Sequence, residues 1–512
     1  MKFQRSSGIL LHPTSFAGPY GVGDLGISAY RFIDFLVDAG CKLWQVLPLG
    51  PTGYGDSPYQ CFSAFAGNPY LVSPDLLLEQ GLLTKDDLAD MPSWPETQVD
   101  FGGLYNWKPA LLEKAYTRFQ GLRSKKLHDE FAAFRLDNAS WLEDYALFMA
   151  LKESQGGAAW NQWPAPLRTR QTEALAEARA ALADRVAVVA FAQFLFFRQW
   201  NELHAYAKSK HVQIIGDIPI FVAMDSADVW ANPELFYLDK AGKPTVVAGV
   251  PPDYFAPTGQ LWGNPLYRWD VHKQSGYAWW IERVSACLKL VDIVRIDHFR
   301  GFAGYWEVPG KAPTAEKGKW IKGPGADLFN AIRDALGDLP IIAEDLGLIT
   351  PDVFELRDAF DLPGMKILQF AFSGPDNVFL PQHYVTNCVA YTGVHDNDTT
   401  LGWYRQAPHE EQDFAKRYLH VDGSDFSWDL IRAVWSSVAV FALAPMQDFL
   451  NLGTEARMNF PGKAAGNWGW RMDDSTFNGG RFNEGLLNRL RELNGLYARY
   501  HRPDPAKKSK RK

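Results

Sequence analysis

The sequence predicts a (β/α)8 barrel, and three observations carry that prediction. Eight apolar stretches of strand character recur along the chain, separated by stretches of helical periodicity. Ile293-Val294-Arg295-Ile296-Asp297, entered through Leu288, Leu290 and Val291, looks buried on both faces, the pattern of a parallel sheet covered by helices. Four of the eight strands run into an acid, Asp217, Asp297, Glu344 and Asp396, and the strand ends of such a barrel form one rim, where active sites lie.

Taken in order, Ile9-Leu10-Leu11 reads as the first strand and Ile27 to Asp38 as a helix. That helix carries Phe32, Leu36 and Ala39 on one stripe and Gly40 as C-cap. Between them Gly21-Val22-Gly23-Asp24-Leu25-Gly26 satisfies G-x-G-x-x-G. We reject a dinucleotide site there, because nine residues separate strand from glycines and the second strand, Leu43 to Leu49, ends without an acid for a ribose. The glycines read as loop punctuation. A loop dense in turn formers, Gly53 to Gln60, follows the second strand.

From 72 to 205 the chain changes character. Helical periodicity over 108–119, 125–136, 140–154 and 168–208 predicts a mostly helical insertion. Strands resume at Val212 to Ile220, Ile293 to Asp297, Leu339 to Gly347, Met365 to Phe370 and Cys388 onward. The run 438–445 is apolar enough to be either a strand or a buried helix, and counting it as a strand gives eight. The barrel is therefore expected over 1–71 and 206–500. Within it, 225–285 is expected to be a loop-rich insertion whose Pro- and Gly-rich part, 250–265, forms an aromatic lid. The basic end, 501–512, is expected to be a disordered tail, and no C-terminal β-domain is expected.

The 512 residues carry a net charge of -7, which leaves no general electrostatic footprint for nucleic acid. No apolar stretch is long enough for a bilayer span and no signal peptide is visible, so no membrane role is expected. Four scattered cysteines without metal-ligand spacing fit a reducing cytoplasm. Aromatic residues make up 14% of the chain, and several sit in loops where flat rings can stack on sugars.

Arg295 and Asp297 are two apart on a strand and project to one side. An isolated pair of this kind is equally a structural ion pair or a carboxylate partnered for attack on a substrate. Four acids on one rim repel one another, which pushes at least one proton affinity up. Glycoside chemistry needs such a pair, an ionised nucleophile and a protonated acid. Glu344, with no cation in its own strand, is the candidate acid. Divalent metal is the rival use of clustered carboxylates, but these arrive on separate strands beside Arg295 and His395, so no metal and no cofactor is expected.

Arg295-Ile296-Asp297-His298, Glu344-Asp345-Leu346-Gly347 and His395-Asp396-Asn397-Asp398-Thr399 resemble the motifs of the 4-α-glucanotransferase (amylomaltase) family, relatives of the α-amylases. So do Gly8 to Ser15, Asp56-Ser57-Pro58-Tyr59-Gln60, Gly216 to Ile220, Trp262-Gly263-Asn264-Pro265 and Gly466-Asn467-Trp468, in order from about residue 7 to 499. The resemblance implies that Asp297 is the nucleophile, Glu344 the general acid/base and Asp396 the transition-state stabiliser. It implies that Asp217, Arg295 and His395 bind or orient the sugar, with Ser57, Tyr59, Trp262, Asn467 and Trp468 as further substrate contacts. The implied reaction moves α-1,4-glucan segments from a maltooligosaccharide, amylose or starch-like donor to the 4-hydroxyl of glucose or a maltodextrin acceptor, with retention. Hydrolysis of α-glucans by the same carboxylates is the alternative, and a non-catalytic glucan-binding protein a third. Val394 and Cys61 depart from the family pattern, where Thr and Ser are commoner; neither carries charge.

Overall fold

Alternation within Ile293-Val294-Arg295-Ile296-Asp297 organises the architecture. The computed structural model describes residues 3–252, 257–463, 465–473 and 484–500. In it Val294 and Ile296 join the large apolar cluster shared with the surrounding helices. Ile293 belongs to a separate cluster with Leu43, Ile215, Ile342, Met365, Val389 and Phe441, which the strands enclose. Arg295 and Asp297 continue on the side of Ile293.

The enclosing strands are β1 (Ser6–Leu10), β2 (Leu43–Gln45), β3 (Gln213–Pro219), β4 (Ile293–Asp297), β5 (Ile341–Ala343), β6 (Gly364–Ile367), β7 (Cys388–Tyr391) and β8 (Phe441–Pro445). They pair in parallel in that order, and β1 pairs with β8, Ser6 opposite Phe441. Across the remaining seam, β5 to β6, the Ala343 N–H donates to the Pro363 carbonyl at 2.9 Å. Asp345 accepts there from the Met365 N–H at 2.7 Å. The predicted barrel is thus closed, and the ambiguous apolar run supplies its last strand. Inside, the lower layer is apolar, whereas one step up stand Gln45, Asp217 and Arg295, and Tyr391 donates to Gln45 at 2.8 Å. The interior turns polar toward the strands' C-terminal ends.

The helical stretches form over Phe101–Gly121, Lys125–Asp137, Leu142–Ser154, Thr172–Ala181 and Ala183–Ser209. Phe119 and Phe191 stack with centroids 4.5 Å apart, and Phe131 meets Phe191 edge-on at 5.5 Å. The boundary expected at 205 falls inside the 27-residue helix Ala183–Ser209. Its second half belongs to the barrel, where Trp200 donates to the Leu290 carbonyl at 2.8 Å. Among the described residues no single helix is long and apolar enough to cross a membrane.

The stretch expected to be loop-rich is more ordered than predicted. Val246–Val250 and Gln260–Pro265 pair antiparallel, and Gly304–Pro309 and Lys319–Lys322 extend them into a four-stranded sheet in the order 260–265, 246–250, 304–309, 319–322. The lid's tip, 253–256, and the basic tail, 501–512, lie outside the described residues. The glycine-rich loop is explained by packing: a Cβ on Gly23 would meet the Pro13 carbonyl at 2.0 Å, and Gly21, at φ +75°, lies against the Trp94 ring.

The C-terminal helix, Glu484–Leu496, lies across the helix Ile27–Ala39. Beyond it the buried Arg499 guanidinium donates to the carbonyls of Trp435 (2.7 Å), Ser6 (2.9 Å), Ala439 (3.1 Å) and Ser437 (3.2 Å). These lie on the first strand and on the approach to the last.

Candidate active site

The register of β3, β4 and β5 assembles the site. Asp217 stands opposite Arg295 and Pro219 opposite Asp297. Ile296 stands opposite Ala343, so Asp297 and Glu344 are the next pair up, on strands about 4.8 Å apart. Arg295, 3% exposed, donates to Asp217 Oδ2 at 2.6 Å and to Asp297 Oδ1 at 2.8 Å. Its guanidinium occupies the place a cation between those carboxylates would take. Burial pushes the Asp217 carboxyl up and Arg295 pulls it back. Asp217 Oδ2 also accepts from the Tyr59 hydroxyl at 2.8 Å, whereas buried Oδ1 has no partner.

Glu344 follows β5 directly. The His298 N–H donates to its Oε2 at 2.6 Å and the Leu346 N–H to its Oε1 at 2.8 Å. His298 is in the left-handed region at φ 53°, an uncommon conformation for a non-glycine residue and a frequent one at working sites. Burial, reinforced by the negative charge of Asp297, pushes Glu344 up to about 8. That outweighs the two N–H donors and Arg295, all of which favour the carboxylate.

Asp396 lies in a turn beyond β7, where the Asn397 side chain accepts from the Val394 N–H at 2.9 Å. Its carboxylate is half exposed and accepts from Asn459 Nδ2 at 2.6 Å. His395 is buried, its ring stacked on Tyr59 with centroids 4.9 Å apart, and Trp468 packs 5.8 Å from both rings. Trp262, on the antiparallel sheet, meets His298 edge-on at 4.8 Å. Ser57 accepts from the Tyr59 N–H at 3.2 Å. Asn467 accepts from the Phe460 N–H at 3.0 Å and donates to the Lys463 carbonyl at 2.9 Å, so its amide holds the 460–467 loop. Ser57, Trp262, Asn459, Asn467 and Trp468 line one cleft of about 460 Å³. Two neighbouring carboxyls, one ion-paired and one holding its proton at neutral pH, beside an open aromatic cleft, suit retaining glycoside chemistry.

The family model described as 4-alpha-glucanotransferase matches residues 11–476. The chain belongs to the 4-alpha-glucanotransferase family. It is 56% identical over 481 residues to a 4-alpha-glucanotransferase of Thermus thermophilus, covering 92% of this chain and 95% of that one. It is 50% identical over 505 residues to one from Synechocystis, covering 97% and 99%. Among solved structures, amylomaltase from Streptococcus agalactiae in complex with acarbose superposes with a TM-score of 0.94 at 40% identity, covering 97% of this chain and 100% of that one. Membership fixes the enzyme class as a glucan transferase and not a hydrolase or a non-catalytic binder.

His298 falls within a family motif but the resemblance assigns it no role, and Arg457 and Asn459 lie outside the motifs. Nothing in a sequence signals a left-handed histidine, and Asn459 reaches Asp396 across 63 residues of chain. The one available signal was composition: Arg457-Met458-Asn459-Phe460-Pro461-Gly462 is a turn-forming stretch a few residues before Asn467-Trp468.

Proposed function

We propose that this 4-alpha-glucanotransferase works by double displacement with Asp297 as nucleophile and Glu344 as acid and base. Glu344 protonates the glycosidic oxygen of an α-1,4-glucan while Asp297 attacks the anomeric carbon, giving a β-linked glycosyl-enzyme. Glu344, now a carboxylate, takes the proton from the 4-hydroxyl of the acceptor, and a new α-1,4 bond forms. Asp396 supports the positive charge of the oxocarbenium-like transition state. Arg295 fixes Asp297, and the unpartnered Asp217 Oδ1 accepts from a sugar hydroxyl that replaces the missing donor. Tyr59, His395 and Trp468 form the aromatic floor, and Trp262 with Ser57 and Asn467 the cleft walls.

The observation that carries this reading is the split environment of adjacent carboxyls: Asp297 in an ion pair with Arg295, Glu344 buried with its proton affinity raised. Maltooligosaccharides, amylose or starch-like glucans are the donors, and glucose or maltodextrins the acceptors. The sheet that carries Trp262 favours a second sugar over water at the glycosyl-enzyme. All four cysteines are free thiols, which suits a reducing compartment, and we place the enzyme in the cytoplasm.

Incubation with maltotriose tests the reading. A ladder of longer maltodextrins with release of glucose is expected; glucose and maltose alone, with no longer products, overturn it.

A further inference from the structure

The segment Arg457 to Asn459 makes three separate attachments to the dipeptide His395-Asp396. Asn459 Nδ2 donates to Asp396 Oδ1 at 2.6 Å. The Asn459 N–H donates to the His395 carbonyl at 3.1 Å. Arg457 donates to the Asp396 carbonyl at 2.7 Å and, through Nε, to the carbonyl of Asn459 at 2.7 Å, which ties the two attachments together. The segment is itself stiffened. Two cations pack against the Phe460 ring, Arg457 at 4.4 Å and Lys463 at 4.0 Å from its centroid. The Asn467 amide ties Phe460 to Lys463, and the Trp468 N–H donates to the Met458 carbonyl at 2.7 Å.

Asp396 needs this support more than the other two carboxyls do. Asp297 is at the end of a strand and ion-paired, and Glu344 is bound by two backbone N–H groups. Asp396 sits in a turn with a half-exposed carboxylate, and among the described residues its carboxylate is held by the Asn459 amide and, at 3.5 Å, by His395 Nε2. A carboxylate on a free χ1 rotor is a poor partner for a charge that develops in one place.

We infer that Asn459 is a positioning residue of the transfer reaction: its amide fixes the rotamer of Asp396, and Arg457 fixes the backbone beneath it. The inference rests on the reading of Asp396 as the transition-state stabiliser. Asn459 lines the cleft, but its amide is committed to Asp396, so its loss is expected to fall on kcat far more than on KM.

The test uses the full-length enzyme with maltotriose. Asn459→Ala is expected to lower kcat about 10- to 100-fold, the worth of a hydrogen bond to a charged group, with KM changed less than about twofold. Asn459→Asp keeps the shape but replaces the donor by a carboxyl. It bridges Asp396 only while the pair shares a proton, so its kcat relative to Asn459→Ala should rise as pH falls, which a packing role does not produce. Adding Asn459→Ala to Asp396→Asn should cost nothing further. Asn459→Ala within twofold of the wild-type kcat, an equal loss spread over KM, or additive losses in the double variant overturn the inference while leaving the role of Asp396 intact. An active Asp396→Asn enzyme instead removes the reading on which it rests. Melting temperatures of all variants separate loss of fold from loss of positioning.

Discussion

Glu344→Gln probes the raised proton affinity at the centre of the site, and its effect on stability can be worked out separately from its effect on rate. In the folded enzyme Glu344 keeps its proton to about pH 8, against an ordinary 4.5. Between those values the native state holds more protons than the unfolded chain, so stability falls as pH rises, by about 1.4 kcal/mol per pH unit. Glutamine cannot ionise, so the variant lacks this slope. At about 2.1 cal/mol/K per residue, unfolding 512 residues carries an entropy of about 1.1 kcal/mol/K, so each kcal/mol moves Tm by about 1 °C. The variant should therefore gain on the wild type by about 4 °C between pH 5 and pH 8. A constant offset of about 1 kcal/mol runs against it, because both Glu344 oxygens accept backbone N–H groups and an amide offers one acceptor. Differential scanning calorimetry at matched ionic strength reads the difference. Activity should fall by at least about 100-fold, the usual contribution of a general acid. A Tm difference that stays flat from pH 5 to pH 8 refutes the argument that burial and Asp297 hold the proton on Glu344.

Other perturbations follow from the same geometry. The wild-type kcat/KM should decline above about pH 8 as Glu344 loses its proton, and a profile flat to pH 9.5 would count against it as the acid. Asp297→Asn should abolish transfer while leaving the fold intact, checked by maltotriose turnover beside circular dichroism; retained turnover removes the nucleophile assignment. Arg295→Met strands Asp217 and Asp297 without their common partner, at a cost of about 3–5 kcal/mol at neutral pH. That cost should shrink toward acid as Asp217, already pushed up by burial, takes a proton, read by denaturant titration at pH 4.5 and 7. Trp262→Ala should raise free glucose at the expense of long maltodextrins, and an unchanged product ratio would show that the aromatic wall does not govern acceptor choice.

The sequence revealed the barrel where burial alone dictates the residues. Strands such as Ile293 to Ile296 are covered on both faces and therefore apolar at nearly every position, and Gly40 at φ +76° caps its helix as its sequence position implies. The four-stranded antiparallel sheet escaped notice because its strands are short and mix Gly, Pro and Lys, as in Lys319-Trp320-Ile321-Lys322. Their pairing is set by partners up to about 60 residues away. The helix ending at Ser209 passed through the expected boundary because no capping residue interrupts its periodicity. In the site, Asp297 and Glu344 are legible from their positions at strand ends, whereas Asp217 lies within its strand and Asp396 in the turn five residues past Tyr391. The amide that steadies Asp396 is not legible, since a loop asparagine has the same local appearance whether it faces solvent or a carboxylate.

Arg499 has a consequence for how the protein is made. The strand Ser6–Leu10 finds β2 within about 35 residues, but its other flank waits for Phe441–Pro445. At about 5–20 residues per second, translation reaches that partner roughly 20–90 s later, and until then one side of the first strand is an open template for other chains. The guanidinium that ties Ser6 to the backbone before β8 comes about 50 residues later still. An unpaired edge of this kind is a site for pairing with other chains until Phe441–Pro445 covers it, and replacing Arg499 by Met should reduce soluble yield before it alters catalysis.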